Sequence, residues 1–468
     1  MDINLTFMGA ARGVTGSRYL VEANDLKLLV DCGLFQEHEL LHRNWEPFRC
    51  QPSELHAVLL THAHLDHCGL LPKLVNEGFH GRVICTPATA AITKIILIDS
   101  AHLQEEDAAY KKKRHLREGR RGPYPEVPLY TVADAEASLK FFAPVEYHET
   151  VDVGNGITAT FHDAGHVLGS AMIKLVFSQD GEKRSIVFSG DIGRWDRPYL
   201  HDPDVFRRTD YVVMESTYGD REHEGTEVIG DQLAEIVKAA FAAGGNIIVP
   251  SFALQRAQEV LYYLNKLLIE KRLPALDVYL DSPMAIKITE VFKQYAPQLD
   301  DEMKDLIRRH QSPFDFPGLK FVETVAESKE LNDIRGTAMI IAGSGMCTGG
   351  RIKHHLVNNI SRPECTVLFV GYQAEGTLGR LILDGAKSVR IHGQQRPVRA
   401  KIEQIQGFSA HADKDELFKW LSRLSAEPKM VFLTHGEARA AASFKNLLKQ
   451  KTGYNVTVPT YGKTFRLV

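Results

Sequence analysis

Apolar residues come in short bursts over the first sixty positions. Residues 2–8, 17–22 and 26–31 are compact, rich in branched side chains and separated by turn residues, which predicts three strands. Asp31-Cys32-Gly33 closes the third, and a fourth apolar run, Ala57-Val58-Leu59-Leu60, leads straight into a histidine-rich segment. After Gly69 the spacing becomes helical, then returns to a strand at 82–86. Residues 131–142 read as helix, with strands near 157–162, 171–177 and 185–189. Strands repeated with interspersed helices predict a layered α/β protein.

From about residue 211 the rhythm changes. Apolar runs at 211–214, 246–250, 277–280, 338–342 and 366–370 alternate with amphipathic stretches at 228–243, 254–270 and 284–296. That alternation predicts βαβ units around a parallel sheet. From about 398 the pattern of the first part resumes: a strand, a helix at 414–424, and a strand at 429–433 that ends in a histidine. The organisation expected is a discontinuous domain, 1–210 and 398–468, interrupted by a second domain at 211–397.

Composition narrows the class. The 468 residues are 44% hydrophobic and 25% charged, enough for a sizeable core and unlike a disordered or collagen-like chain. No apolar run approaches the length of a membrane span, so no membrane partner is expected. The start, Met1-Asp2-Ile3-Asn4, does not resemble a signal peptide. Cys32, Cys50, Cys68, Cys85, Cys347 and Cys365 form no Cys-x-x-Cys pair and read as buried free thiols in a cytoplasmic protein. A formal net charge of −3 means that any polyanionic partner must be met by a local site.

The strongest local signal is Thr61-His62-Ala63-His64-Leu65-Asp66-His67-Cys68-Gly69, with four potential ligands in six residues directly after an apolar strand. Imidazole suits Zn²⁺, and carboxylates complete or bridge a two-metal site. Other strand ends supply more: His166 after the strand at 157–162, Asp191 after Ser189-Gly190, and His435 after Val431-Phe432-Leu433-Thr434.

His62-x-His64-x-Asp66-His67 resembles the metallo-β-lactamase superfamily motif, with Asp31, His166 and Asp191 where that superfamily's other motifs would lie. Glu215-Ser216-Thr217-Tyr218-Gly219, Phe408-Ser409-Ala410-His411-Ala412-Asp413 and Leu433-Thr434-His435-Gly436-Glu437 resemble the three additional motifs of its β-CASP nucleases, the branch that includes the pre-mRNA 3′-end cleavage endonuclease and ribonuclease J. The resemblance implies an αββα metallo-β-lactamase sandwich with an inserted parallel-sheet α/β domain and two Zn²⁺. One zinc would be held by His62, His64 and His166, the other by Asp66, His67 and His435, with Asp191 bridging. Asp31 would orient a ligand imidazole. In that reading two cations about 3.5–4 Å apart acidify a bridging water, with which Asp66 can hydrogen-bond. His411 would protonate the leaving ribose oxygen, held in the right tautomer by Glu215. A histidine in the third motif favours RNA over DNA. RNA, most simply single-stranded, would enter a cleft between the two domains.

Two further segments are candidate RNA contacts. Ala342 to Arg351 carries four glycines between an apolar strand and a helical stretch, which suits anion binding by backbone N–H groups. The family resemblance, which places this loop facing the metal site, implies Ser344 and Thr348 as phosphate contacts. It lacks the Gly-Lys-Ser/Thr of a nucleotide triphosphatase. The stretch Ala108–Gly122 has a local charge of +6, with Lys111, Lys112 and Arg114 as phosphate contacts. A solvated loop or helix face is the competing reading of that run. The alternatives carried for the whole chain are a DNA-directed nuclease of the same family, a small-molecule hydrolase on the metallo-β-lactamase fold, and a non-catalytic RNA-binding scaffold. No C-terminal appendage and no N-terminal KH module are expected. Endonucleolytic against 5′-exonucleolytic action and homodimerisation both stay open.

Overall fold

Strand β1 (Ile3–Phe7) alternates buried and half-buried positions, the pattern of a strand with one face on a core. It is followed by β2 (Tyr19–Ala23), β3 (Leu26–Val30), β4 (Ala57–Leu59), β5 (Arg82–Cys85) and β6 (Phe142–Pro144). A second set comprises β7 (Thr150–Gly154), β8 (Ile157–Asp163), β9 (Ala171–Gln179), β10 (Glu182–Phe188) and β11 (Tyr211–Glu215). Strands β12 (Ile247–Pro250), β13 (Asp277–Asp281), β14 (Leu319–Phe321), β15 (Ala338–Ala342), β16 (Thr366–Phe369), β17 (Ser388–Ile391), β18 (Gln394–Pro397) and β19 (Lys401–Gln404) come next, then β20 (Met430–Thr434), β21 (Val456–Thr457) and β22 (Thr464–Leu467). The computed structural model describes residues 2–334 and 336–468. The chain divides into two compact units, one of residues up to 196, 200–222 and 410–468, the other of 197–199 and 223–409.

The first unit holds two seven-stranded sheets, ordered β22-β1-β2-β3-β4-β5-β6 and β21-β20-β11-β10-β9-β8-β7. Their facing sides share one core. Phe7, Val21, Leu28, Val30, Leu59 and Ile84 meet Ala159, Phe161, Ile173, Leu175, Phe188, Val213 and Phe432 there, each wholly or almost wholly buried. Burying an aliphatic or aromatic side chain of this size contributes about 1.5–3 kcal/mol. Helices Lys414–Leu421 and Ala438–Thr452 cover the outer side of the second sheet through Leu417, Trp420, Phe444 and Leu448. Helices Leu71–Asn76, Pro87–Glu118 and Val132–Ser138 pack together beside the first sheet. This is the expected αββα sandwich.

Strand direction decides where chemistry collects. β3 and β4 run parallel, as do β10, β11 and β20. Parallel neighbours end on the same edge, so the residues just beyond Val30, Leu59, Phe188, Glu215 and Thr434 are gathered although they are far apart in sequence.

The second unit carries a six-stranded, all-parallel sheet, order β14-β13-β15-β12-β16-β19, and a β17–β18 hairpin. Two strands sit differently from their sequence reading. Tyr211–Glu215, grouped with the βαβ series by its apolar run, hydrogen-bonds between β10 and β20 in the first unit. Lys401–Gln404, read with the tail, pairs with β16 in the parallel sheet of the second. Tyr211–Glu215 is buried at all five positions, a pattern that suits the middle of any parallel array and does not choose among them.

Among the described residues, no helix is long and apolar enough to cross a membrane. All six cysteines are free thiols. Five are buried, whereas Cys50 is only half-buried, because it lies in an irregular segment near the surface.

Candidate metal centre

The chain leaves β4 through Leu60 and Thr61 into His62. His64 caps a one-turn helix, Leu65–Cys68, that presents Asp66 and His67. Asp31 and His435, each just beyond a strand, adopt left-handed backbone with φ of 59° and 45°. Non-glycine residues in this region are costly and are held there by their surroundings. Gly190, with φ of 53°, makes the turn from β10 into Asp191; a Cβ on it would stand 2.8 Å from Cβ of Thr61. The turn therefore needs glycine on grounds of both space and conformation.

These strand ends bring seven ligand-type side chains together. Nδ1 of His64 lies 3.0 Å from Nε2 of His62 and 3.4 Å from Nε2 of His166. Oδ2 of Asp191 lies 3.4 Å from Nε2 of His62 and 3.5 Å from Nε2 of His166. The other oxygen of Asp191, Oδ1, lies 3.4 Å from Nε2 of His67 and 3.5 Å from Nδ1 of His435. Nε2 of His435 is 3.3 Å from Oδ2 of Asp66. Two groupings result, His62/His64/His166/Asp191 and Asp66/His67/His435, with the two carboxylate oxygens of Asp191 facing one each.

The electrostatics are those of a site built for positive charge. Burial pushes His62 down to about 3, helped by neighbouring His67, and His64 down to about 4. His166 is also held well below its ordinary value by burial and by His411. These imidazoles are thus neutral, the form that binds a metal. Burial alone would raise Asp66 and Asp191, but the surrounding histidines hold both well below the usual carboxylate range. His67 goes the other way: burial lowers it, and Asp191 with Asp31 outweighs burial and raises it well above normal.

Divalent cations fit this donor set. Oδ1 of Asp191 is buried with no hydrogen-bond partner, a costly state for a carboxylate oxygen that coordination would relieve. Three imidazole nitrogens also converge on one another and on Asp191, a clustering of lone-pair donors that a cation would satisfy.

Around this cluster, Oδ2 of Asp31 lies 2.7 Å from Nδ1 of His67, and Asp31 accepts the Thr61 N–H and hydroxyl at 2.8 and 2.9 Å. Nδ1 of His411 lies 3.1 Å from Oε2 of Glu215 and 4.0 Å from Oδ2 of Asp191. Burial lowers the His411 pKa, and the charges of Glu215 and Asp191 outweigh it, lifting it to about 9. The segment is fixed by a bridge between Gly193 and His411 and by the Ala412 N–H donating to the Ile192 carbonyl.

Three residues that sequence reasoning did not single out also belong to the site. Ser17 Oγ lies 3.4 Å from Nε2 of His67, Thr61 ties Asp31 in place, and Thr217 Oγ1 lies 3.0 Å from Nδ1 of His435 while donating to the His435 carbonyl. Thr61 and Thr217 lie next to or within the recognised motifs, which is the one signal that points to them. Ser17 has no such signal.

The candidate RNA contacts are more scattered. Most of the Ala108–Gly122 run forms the last turns of the helix Pro87–Glu118, capped by Gly119, and its last three residues lie beyond the helix. On it Lys111 pairs with Asp107 at 2.6 Å and Arg114 with Glu118 at 3.1 Å, while exposed Lys112 has no partner among the described residues. In the second unit, Ser344 Oγ accepts the Thr348 and Gly349 N–H groups at 3.0 and 3.3 Å and lies 3.1 Å from Thr348 Oγ1, so both hydroxyls close their own loop.

Comparison with known proteins agrees with this architecture. Residues 11–217 match the metallo-beta-lactamase superfamily, 257–382 the Beta-Casp domain, and 395–459 the Zn-dependent metallo-hydrolase RNA specificity domain. The chain is 38% identical over 455 residues to ribonuclease TTHA0252 of Thermus thermophilus, covering 97% of this chain and 98% of that one. It is 32% identical over 470 residues to transcription termination factor FttA of Methanocaldococcus jannaschii, covering 98% of this chain and 70% of that one. A crystal structure of a protein of unknown function from Enterococcus faecalis V583 matches with a TM-score of 0.57 and 13% identity, covering all of both chains, a likeness of fold alone. The αββα sandwich, the parallel-sheet unit and these matches together show that the chain belongs to the β-CASP family of the metallo-β-lactamase superfamily.

Proposed function

We propose that this protein is a ribonuclease that hydrolyses phosphodiester bonds of single-stranded RNA, with two zinc ions as its cofactors. The observation that supports the reading is the His411–Glu215 pair set against Asp191, an arrangement that suits a proton donor beside the candidate metal centre. Two cations, one held by His62, His64 and His166 and one by Asp66, His67 and His435 with Asp191 shared, would supply Lewis acidity toward a water and offset the charge of the phosphate.

The chain's own residues do the rest. Attack of water on phosphorus releases a proton, and the Asp66 carboxylate is the adjoining acceptor. The P–O bond to the leaving ribose oxygen breaks, and that oxygen takes a proton from the His411 imidazole. Glu215 is wholly buried, accepts the Ile192 N–H at 2.5 Å, and so holds His411 in one orientation. Asp31 does the same for His67.

The match of 395–459 to an RNA specificity domain, and a relative that carries the name ribonuclease, support RNA as the substrate. Lys112 on the exposed basic helix end, with Lys111, Arg114, Ser344 and Thr348, are the residues we assign to strand contacts away from the metals. Six free thiols suit a reducing compartment such as the cytoplasm.

The deciding experiment incubates end-labelled RNA and matched DNA with wild type and His411→Ala in the presence of Zn²⁺. Cleavage of RNA by wild type, strongly reduced in the variant, supports the assignment. Hydrolysis of a thioester or lactone with neither polymer cleaved overturns it.

A further inference from the structure

A row of cations, Arg18, Arg43 and Arg49, starts one residue from Ser17 and makes no ion pair with an acid among the described residues. Ser17, whose Oγ lies 3.4 Å from Nε2 of His67, is followed by Arg18, which is 5% exposed. Nε of Arg18 is buried with no hydrogen-bond partner, and no carboxylate pairs with its guanidinium among the described residues. Instead Arg18 stands 5.1 Å from the ring centre of Phe35 and 5.2 Å from that of Phe48. Arg43 lies 5.4 Å from Phe35 and 3.9 Å from Tyr461, and Arg49 lies 4.5 Å from Tyr461.

Three acids of the surrounding segments have partners elsewhere. Glu37 accepts the Val14 and Thr15 N–H groups at 2.9 and 3.0 Å, Glu46 faces His42 at 3.6 Å, and Glu77 faces Lys73 at 3.4 Å. Aromatic faces hold the guanidinium groups, but they do not neutralise the charge. Burial and the field of Arg43 both push the Arg18 pKa down, the sign of a cation short of counter-charge. Arg49 is exposed, with room given by Gly462, whose Cβ would meet its Nη1 at 2.6 Å.

We propose that Arg43 and Arg49, backed by the buried charge of Arg18, bind phosphodiester groups of the RNA strand away from the scissile bond. The guanidinium fork matches two phosphate oxygens, and its planar face stays stacked on an aromatic ring while it does so. The chain connection through Ser17 and Arg18 makes this row continuous with the loop that carries Asp66 and His67. The proposal rests on the reading that the substrate is RNA.

The test measures binding of labelled single-stranded RNA as a function of salt, in a His411→Ala background that preserves the strand, with and without Arg43→Ala plus Arg49→Ala. Loss of two phosphate contacts is expected to weaken binding and to flatten the slope of log K against log salt by about 1.4, roughly 0.7 for each contact. Arg43→Lys plus Arg49→Lys should restore most of the slope, because it restores the charge, and thermal melts of each variant check folding. An unchanged slope in a folded alanine variant overturns the proposal. So does a variant that loses only the binding of inorganic pyrophosphate, since the row would then serve a free anion. RNA cleavage by wild type with an unchanged slope removes this proposal alone. A flattened slope with no RNA cleavage by wild type removes the hydrolytic reading alone.

Discussion

The carboxylate of Glu215 lies 3.1 Å from Nδ1 of His411, although the two stand 196 residues apart in the chain. Strand β11 ends at Glu215, and the bridge from Gly193 to His411 brings the imidazole alongside. A buried carboxylate against one ring nitrogen fixes the orientation and tautomer of the imidazole. His411→Ala is expected to lower kcat for RNA cleavage by about 10²–10⁴-fold. Glu215→Gln should cost less, and the double variant should be no worse than His411→Ala, because Glu215 acts through the histidine. Losses that multiply in steady-state kinetics would show that Glu215 has a separate role.

Metal analysis of the purified protein is expected to give two equivalents of zinc. His64→Ala and His435→Ala should each lower the content, since they belong to different groupings. Chelation should also lower Tm, because cations that bind only the folded chain stabilise it and Asp191 Oδ1 loses its partner. A melting temperature indifferent to chelator would count against a cation at Asp191.

Asp31 touches His67 and Thr61 and belongs to neither ligand grouping. Its replacement by asparagine keeps the shape and removes the charge that fixes the His67 ring. Asp31→Asn is expected to weaken zinc affinity by about 10–100-fold while leaving the secondary structure intact. Competition with a zinc chelator and circular dichroism together read both halves of that statement.

Stability against acid has a separate origin in the second unit. Asp281, at the end of β13 and wholly buried, lies 2.6 Å from Nε2 of His355 and accepts hydrogen bonds from Arg351 and Ser328, each at 2.6 Å. Burial would raise its pKa, and these partners hold it below the ordinary value. A carboxylate depressed in the folded state contributes stability that is present above its unfolded pKa, about 3.9, and lost as pH falls through the lower folded value. Asp281→Asn should therefore cost about 3 kcal/mol near neutral pH, and the gap from wild type should close as the solution is acidified below about pH 4. Denaturant unfolding at several pH values checks it; a gap that stays constant into acid would mean that charge is not the cause.

Much of the site was legible along the chain because ligand types cluster where strands end. His62 to His67 are contiguous, and His166, Asp191 and His435 each follow an apolar run by a few residues. Strand positions were also readable, since a short apolar burst between turn residues leaves few other conformations. Membership of a sheet was not. Tyr211–Glu215 and Lys401–Gln404 exchange places relative to their pattern, because hydrogen-bond partners lie on distant segments and an all-buried strand suits several neighbours.

The sequence by itself determined which residues carry ligand chemistry and that a layered α/β chain would present them at strand ends. Only the tertiary structure decided which oxygen of Asp191 faces which grouping, that His67 is the imidazole Asp31 reaches, and that Arg18, Arg43 and Arg49 line up with aromatic rings and, among the described residues, without an ion-paired acid. These relations depend on angles and distances between strands that meet through parallel pairing, and residue order does not specify how such strands are set against one another.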